Sequence, residues 1–248
     1  TRKESSAASD VYKRQDQHSR RILDLVARGE AHSRSEIAAL LGVAASTVGL
    51  RVQSLLDAGV LEEAGDGTSR GGRRPRVLQI AGDGIVLSAD LGGQHARIGR
   101  HSLSGALLGV ESIAIDLTDG PEATLGRIAE VFERLGADTR IHAIGVSLPG
   151  PVDTLTGSVD QPSRMPGWPG FRVGEHLAGR FGTHVTVDND ANLAALGEHR
   201  AQFGHTHHSI TVKAGTAIGS GVIVDGHIHR GATSAAGDIT HLSLIHIS

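Results

Sequence analysis

Apolar residues recur three and four positions apart from about residue 19 to residue 59, then gather into short β-branched runs divided by glycine-, proline- and asparagine-bearing loops. The first period predicts three helices. Ile22, Leu23, Leu25 and Val26 share one face of a helix that begins near Ser19 and that Gly29 is placed to end. Ser33 stands three residues before Glu36, a capping-box spacing, ahead of Ile37, Leu40 and Leu41. Gly42 follows as the residue able to take positive φ in a tight turn. Ala44 to Ala58 then places Val48, Val52, Leu55 and Leu56 on one stripe, closed by Gly59. A strand Val60 to Glu63, a turn through Gly65, Asp66 and Gly67, and a returning strand Val77 to Ile80 predict a hairpin.

From Ile85 the pattern favours strands. Ile85 to Leu91, Ala96 to Arg100 and Ala106 to Ile115 suggest an antiparallel trio. A helix around Ala123 to Leu135, a buried strand Ile141 to Leu148, a helix Val173 to Phe181, a strand Val185 to Asp188 and a helix Ala191 to Ala201 follow. Two apolar runs, Ile210 to Val212 and Val222 to Val224, come after them. This alternation predicts an α/β layer with ligand-collecting loops at the carboxyl ends of the strands.

The chain has 248 residues, enough for one small and one medium unit. The formal net charge is −3, so affinity for nucleic acid has to come from a local basic patch. Cysteine is absent, which excludes disulfides and thiolate metal sites within these residues. With no apolar run of about 18 residues to span a bilayer, the expected location is the cytoplasm, with no membrane partner. Residues 1–15 and 242–248 lack the patterning of their neighbours and read as non-native tails. The native sequence is expected to begin near Asp16 and to be cut off near His241.

The spacing of the second and third helices is that of a helix-turn-helix, in which the second of the pair enters the major groove. Ser46, Thr47 and Arg51 are the candidates for reading bases or phosphates. The hairpin makes the motif a winged one, and its segment Ser69 to Arg76 carries Arg70, Arg73, Arg74 and Arg76 with no acid. Arginines suit a narrow minor groove or bidentate phosphate contacts. The alternative is a three-helix scaffold used for protein contacts, with the arginines in a solvated loop.

Four loops of the second region are chemically loaded. Asp90-Leu91-Gly92-Gly93 joins an acid to two glycines, suited to a phosphate with its magnesium ion. Ser147-Leu148-Pro149-Gly150-Pro151 is a rigid turn. Asp188-Asn189-Asp190-Ala191-Asn192 sets carboxylates and amides at a strand-to-helix junction, well placed for vicinal hydroxyls. Gly215-Thr216-Ala217-Ile218-Gly219-Ser220-Gly221 looks like a second hairpin that approaches phosphate. Trp168 either lines a ligand cleft or packs beneath a Pro-Gly turn.

The order of these motifs, continued by Pro166-Gly167-Trp168, Arg230-Gly231-Ala232 and Ala236-Gly237-Asp238-Ile239-Thr240-His241, resembles the ROK family of repressors, open reading frames and kinases. The resemblance covers about residues 84–241, and the winged helix-turn-helix of residues 16–81 is similar to that of the repressor branch. It implies an α/β fold: a winged helix-turn-helix followed by an actin-like (ribonuclease H-like) ATPase domain, here with an incomplete second lobe. Asp190 matches the base that takes a proton from the sugar 6-hydroxyl in kinase members. Asn189, Asp190, Asp238 and His241 match sugar-binding positions, and Asp90, Gly92, Gly93 and Thr216 match nucleotide-phosphate or metal positions. His241 also matches a zinc ligand whose family partners are cysteines further along.

The chain departs from the family pattern at Gln94 and His95, where threonine and lysine are usual, and at Ala217 within the Gly-Thr-Gly-Ile-Gly hairpin. These changes imply weakened ATP binding. Asp238 replaces a glutamate, Thr240 a glycine and Ser163 an asparagine. The expectation is a sugar-responsive DNA-binding regulator, a repressor of carbohydrate-metabolism genes, whose partners are DNA and a sugar or sugar phosphate and which is a homo-oligomer at full length. The alternative is an ATP-dependent hexose 6-kinase. No cofactor follows from the residues alone; the resemblance implies zinc for the longer protein, and ATP with magnesium for a kinase.

Overall fold

The computed structural model describes residues 18–66, 76–159, 165–202, 206–214, 218–231, 236–237 and 239. It divides into two compact units, residues 1–84 with 102–106, and the remainder. In the first unit a helix α1 over residues 18–27 precedes α2 (Arg34–Leu41) and α3 (Ala45–Asp57). The expected cap is present: Ser33 Oγ accepts from the Glu36 amide at 3.3 Å, while the Glu36 carboxylate reaches back to the His32 amide at 2.7 Å. Gly42 takes φ 65° at the end of α2, the left-handed conformation that lets the chain turn at once into α3.

Ile22, Val26, Ile37, Val48 and Val52 from the three helices close on Leu61 and Leu78 of a hairpin, β1 (Leu61–Asp66) and β2 (Arg76–Ile80). Here the structure corrects the sequence reading. Gly65 and Asp66, expected in the turn, belong to β1, and the antiparallel register slips between Ala64 and Asp66. Gly65 at φ 59° absorbs the extra residue as a bulge, so the same positive-φ glycine that marks a turn here prolongs a strand. The wing tip, with Arg70, Arg73 and Arg74, lies outside the described residues.

The second unit is built on a five-stranded sheet in the order β5 (Leu107–Ala114), β4 (His95–Ser102), β3 (Ile85–Leu91), β6 (Ile141–Leu148) and β9 (His184–Asn189). β4 pairs antiparallel with β5, whereas β6 runs parallel to both β3 and β9. Between β6 and β9 come the short pair β7 (Val152–Asp153) and β8 (Ser158–Val159). Helices α4 (Pro121–Gly136) and α5 (Val173–Phe181) bury Leu125, Ile128, Phe132, Val173 and Leu177 in one apolar core with Leu87, Ile98, Ile144 and Val146 of the sheet. Trp168 belongs to that core, fully buried, with its indole N–H donating to the Leu117 carbonyl at 2.9 Å. Of the two roles open to it in the sequence, the structure gives it packing.

After β9, helix α6 (Asp190–Gln202) packs on a separate antiparallel sheet, β10 (Ser209–Ala214), β11 (Ile218–Val224) and β12 (His227–Ile228). Gly219, Ser220 and Gly221, expected in a phosphate-approaching loop, are strand residues of β11. A Cβ on Gly221 would stand 2.5 Å from the Ala191 carbonyl oxygen and 2.5 Å from the Ala195 methyl. That glycine therefore serves the close approach of α6 to the sheet.

Candidate functional site

On the first unit, α3 presents its N-terminal turn outward. Ser46 is exposed, Thr47 and Arg51 are half-buried, and Leu50 is 72 % exposed, an apolar side chain left out of the core. The first turn of α3 holds no acid, and its N-cap, Ala44, offers no side chain to the free amides. Such an end keeps its partial positive charge for a phosphate, and its side chains for base edges. Ser46, Thr47 and Arg51 thus share one end of one helix.

Arg76 has a different setting. Its guanidinium pairs with Glu63 across the hairpin at 2.8 Å, and Arg34 of α2 pairs with the other oxygen of the same carboxylate at 2.8 Å. The two arginines hold the Glu63 carboxyl below its ordinary range, Arg34 contributing most. Arg76 is therefore tied into the base of the hairpin, in contrast to the uncommitted guanidinium expected from the sequence.

In the second unit the parallel register places Asp90, Ser147 and Asp188 side by side at the carboxyl ends of β3, β6 and β9. Ser147 Oγ donates to Asp90 Oδ1 at 2.7 Å, and Asp90 itself faces solvent. The chain then turns through Gly92 and Gly93, where the Gly92 amide donates to the His95 carbonyl at 2.8 Å. That amide is spent within the loop. Gly93 is exposed, with open space where a side chain would stand.

Asp188 is only 2 % exposed and carries three donors. Arg230 Nη2 lies 2.5 Å from Oδ2, and the Asn189 amide and Asn192 Nδ2 reach Oδ1 at 2.8 and 3.2 Å. Asn189 and Asp190 stand where β9 becomes α6. Asn189 Oδ1 accepts from the amides of Ala191 and Asn192 at 2.9 and 3.2 Å, while its Nδ2 donates to the Gly150 carbonyl at 2.8 Å. It thus caps α6 and ties it to the Pro149-Gly150 turn, leaving one amide hydrogen uncommitted. Asp190 accepts from the Ala191 amide on Oδ1 at 2.8 Å and from Lys213 Nζ on Oδ2 at 2.6 Å.

The sequence reading missed the two cations. Arg230 was noted only within a motif, and Lys213 was passed over because the strand was ended at Val212; the alternation Thr211, Lys213 was the signal available. Asp153, two residues beyond the Ser147 to Pro151 turn, accepts from the Leu155 amide and the Thr156 hydroxyl, both at 2.9 Å, bonds that hold its carboxyl below the usual range. Thr216, Asp238 and His241 lie outside the described residues. Among the described residues no three His, Asp or Glu side chains converge on a metal position. The exposed Asp90 carboxylate beside Gly93 is the part of the nucleotide set that fits a magnesium-bound phosphate. No helix among the described residues is long and apolar enough to cross a membrane.

Known proteins share both units. A putative xylose repressor of Caldicellulosiruptor sp. (strain Rt8B.4) is 29 % identical over 230 residues, covering 90 % of this chain and 57 % of the repressor. The glucokinase of Thermotoga maritima is 29 % identical over 158 residues, 63 % of this chain and 50 % of that enzyme. Among solved structures, a ROK family transcriptional regulator homologous to the Escherichia coli MLC protein superposes with a TM-score of 0.76 at 25 % identity, over 94 % of this chain and 60 % of that one. The Streptomyces griseus ROK glucokinase, in complex with glucose and AMPPNP, gives 0.59 at 26 % identity, over 65 % of this chain and 51 % of the kinase. The chain thus spans a little over half the length of the repressor relatives it matches. A helix-turn-helix domain model matches residues 16–64 and the ROK family model matches residues 86–247, so this chain, with its actin-like α/β unit behind a helix-turn-helix, belongs to the ROK family.

Proposed function

We propose that this chain is the DNA-binding and sugar-sensing part of a transcriptional regulator, acting as a repressor of carbohydrate-metabolism genes. The observation that carries the reading is the open N-terminal turn of α3, with Ser46, Thr47, Leu50 and Arg51 displayed and no acid present, joined in one chain to the ROK unit. The likeness to xylose repressors over 90 % of the chain supports it, because the kinase relatives match only the second unit's share. In this reading Ser46, Thr47, Arg51 and the wing arginines Arg70, Arg73 and Arg74 contact DNA, with Arg76 bracing the wing. Asn189, Asp190, Asp238 and His241 line the sugar site. The full-length protein works as a homo-oligomer, and sugar shifts it between two states only in so far as it binds them unequally.

The glucokinase relatives keep a second reading open, an ATP-dependent sugar kinase with Asp190 as the base and Asp90, Gly92, Gly93 and Thr216 at the nucleotide. The spent Gly92 amide and the lysine already seated on Asp190 favour the sensor. The test is a salt titration of binding to the DNA that flanks the gene. Wild type should lose affinity steeply with salt, and the double variant Arg73→Ala, Arg74→Ala should bind more weakly with a slope shallower by about 2, one for each phosphate that is no longer neutralised. Equal affinities and equal slopes would overturn the reading.

A further inference from the structure

We infer that Lys213 is a sugar-selecting residue: with Asp190 it forms a donor–acceptor pair that reads two neighbouring oxygens of a sugar. The inference rests on the sensor reading above and names the chemistry of its site. Lys213 lies on β10 and Asp190 opens α6, 23 residues earlier, with Nζ 2.6 Å from Oδ2. Along β10 the exposed residues are Ile210, Val212 and Ala214, so Lys213 shares the more covered face with Ser209 and Thr211. On that face Ser209 Oγ meets His199 Nδ1 of α6 at 2.9 Å. A lysine among such neighbours gives up part of its hydration, and its ammonium gains from acceptors held nearby.

The pair is fixed on one side and open on the other. Asp190 Oδ1 is held by the Ala191 amide, which orients the carboxylate, yet the Lys213 side chain remains 42 % exposed. The neighbouring ion pair differs, since the Asp188 carboxylate is almost wholly buried and already takes three donors. An ammonium has three N–H groups, and Asp190 takes one of Lys213's; a carboxylate oxygen also has room for a second donor. A polyol offers the complementary set. One hydroxyl donates to Asp190 Oδ2 while the oxygen on the adjacent carbon accepts from Lys213 Nζ. A carboxylate alone reads only donors, whereas the added ammonium demands an acceptor at the next position, so the pair discriminates between sugars that differ at one carbon.

The experiment is calorimetric titration of the 248-residue protein with D-xylose, D-glucose and the monodeoxy analogues of each, using wild type, Lys213→Met, Lys213→Gln and Asp190→Asn, with thermal unfolding of every variant. Wild type should bind one of the two sugars. Lys213→Met should lose about tenfold or more in affinity for it, the loss typical of an unpaired polar group, and should become indifferent to one deoxy position that wild type discriminates against. Lys213→Gln, which keeps an N–H donor, should fold like wild type and recover part of that affinity. Unchanged affinity and unchanged analogue ranking in both lysine variants would overturn the inference and leave the sensor reading standing. A wild type that binds neither sugar would overturn both. Should Lys213→Met fail to fold, the glutamine variant decides alone: reduced affinity with altered ranking supports the pair, and wild-type behaviour refutes it.

Discussion

Two helix N-termini in this molecule are built in opposite ways. At α3 the cap residue is Ala44, no acid enters the first turn, and no side chain caps the leading amides, of which that of Thr47 bonds to the Ala44 carbonyl. At α6 the amides of Ala191 and Asn192 are taken by Asn189, and Asp190 adds a carboxylate that Lys213 neutralises. The first end keeps its positive charge for a polyanion. The second cancels it internally, through side chains whose positions are set by a hydrogen-bonded lattice. Surface display suits a partner as large and uniform as DNA, and a fixed lattice suits a small polyol that must be told from its isomers.

The largest effect is expected where that lattice is deepest. Replacing Arg230 with methionine strands the buried Asp188 carboxylate without its cation, which should cost about 3 kcal/mol, less what the Asn189 and Asn192 donors retain. Urea unfolding followed at the single tryptophan, which lies in the second unit, would report it, while the helical signal of the first unit should unfold as in wild type. Next comes Asn189→Ala, which removes the α6 cap and the tie to Gly150 together, with an expected loss of about 2 kcal/mol by the same measurement.

Ala44→Asp sharpens the contrast more directly, since it gives α3 the kind of carboxylate that α6 already has. The substitution should stabilise the first unit by about 1 kcal/mol and, by setting a negative charge where a phosphate would lie, weaken DNA binding at least about tenfold. Stability and affinity measured on the same sample should therefore move in opposite directions. Were both to rise, the open end of α3 would not be the DNA-facing one.

The smallest effect concerns Glu63. Its carboxyl titrates lower in the folded protein than in the unfolded chain because Arg34 and Arg76 hold the charged form, so its stabilising contribution is present above the unfolded value and lost as pH falls through the folded one. Below about pH 4 wild type should lose up to about 1 kcal/mol that Glu63→Gln has already forgone, and acid unfolding curves of the two should converge there.

Much of the scaffold was legible in the chain because short-range rules govern it. The Ser33 cap, the turn at Gly42, the strand Ile141–Leu148 and the helix Val173–Phe181 each follow from neighbours within a few residues. Gly65 was misread because a positive-φ glycine serves a turn and a bulge equally, and only pairing to a second strand decides between them. Asn189 was expected to face a sugar; an amide at the start of a helix looks the same in sequence whether it caps or binds, and here most of its capacity goes to the cap. The pairing of Lys213 and Arg230 was not legible because their partners stand 23 and 42 residues away, a separation that only the fold closes.

On the sensor reading, sugar held near Asp190 alters what the α3 end does to DNA. The most direct test is the affinity for the flanking DNA, measured by fluorescence anisotropy at fixed salt, with and without a saturating concentration of the sugar that the protein is shown to bind. The sugar should weaken DNA binding about fivefold or more in wild type, the low end of ordinary allosteric coupling, and should have no effect in Asp190→Asn. A protein that binds both sugar and DNA, yet holds the DNA equally tightly whether or not the sugar is present, would contradict that reading.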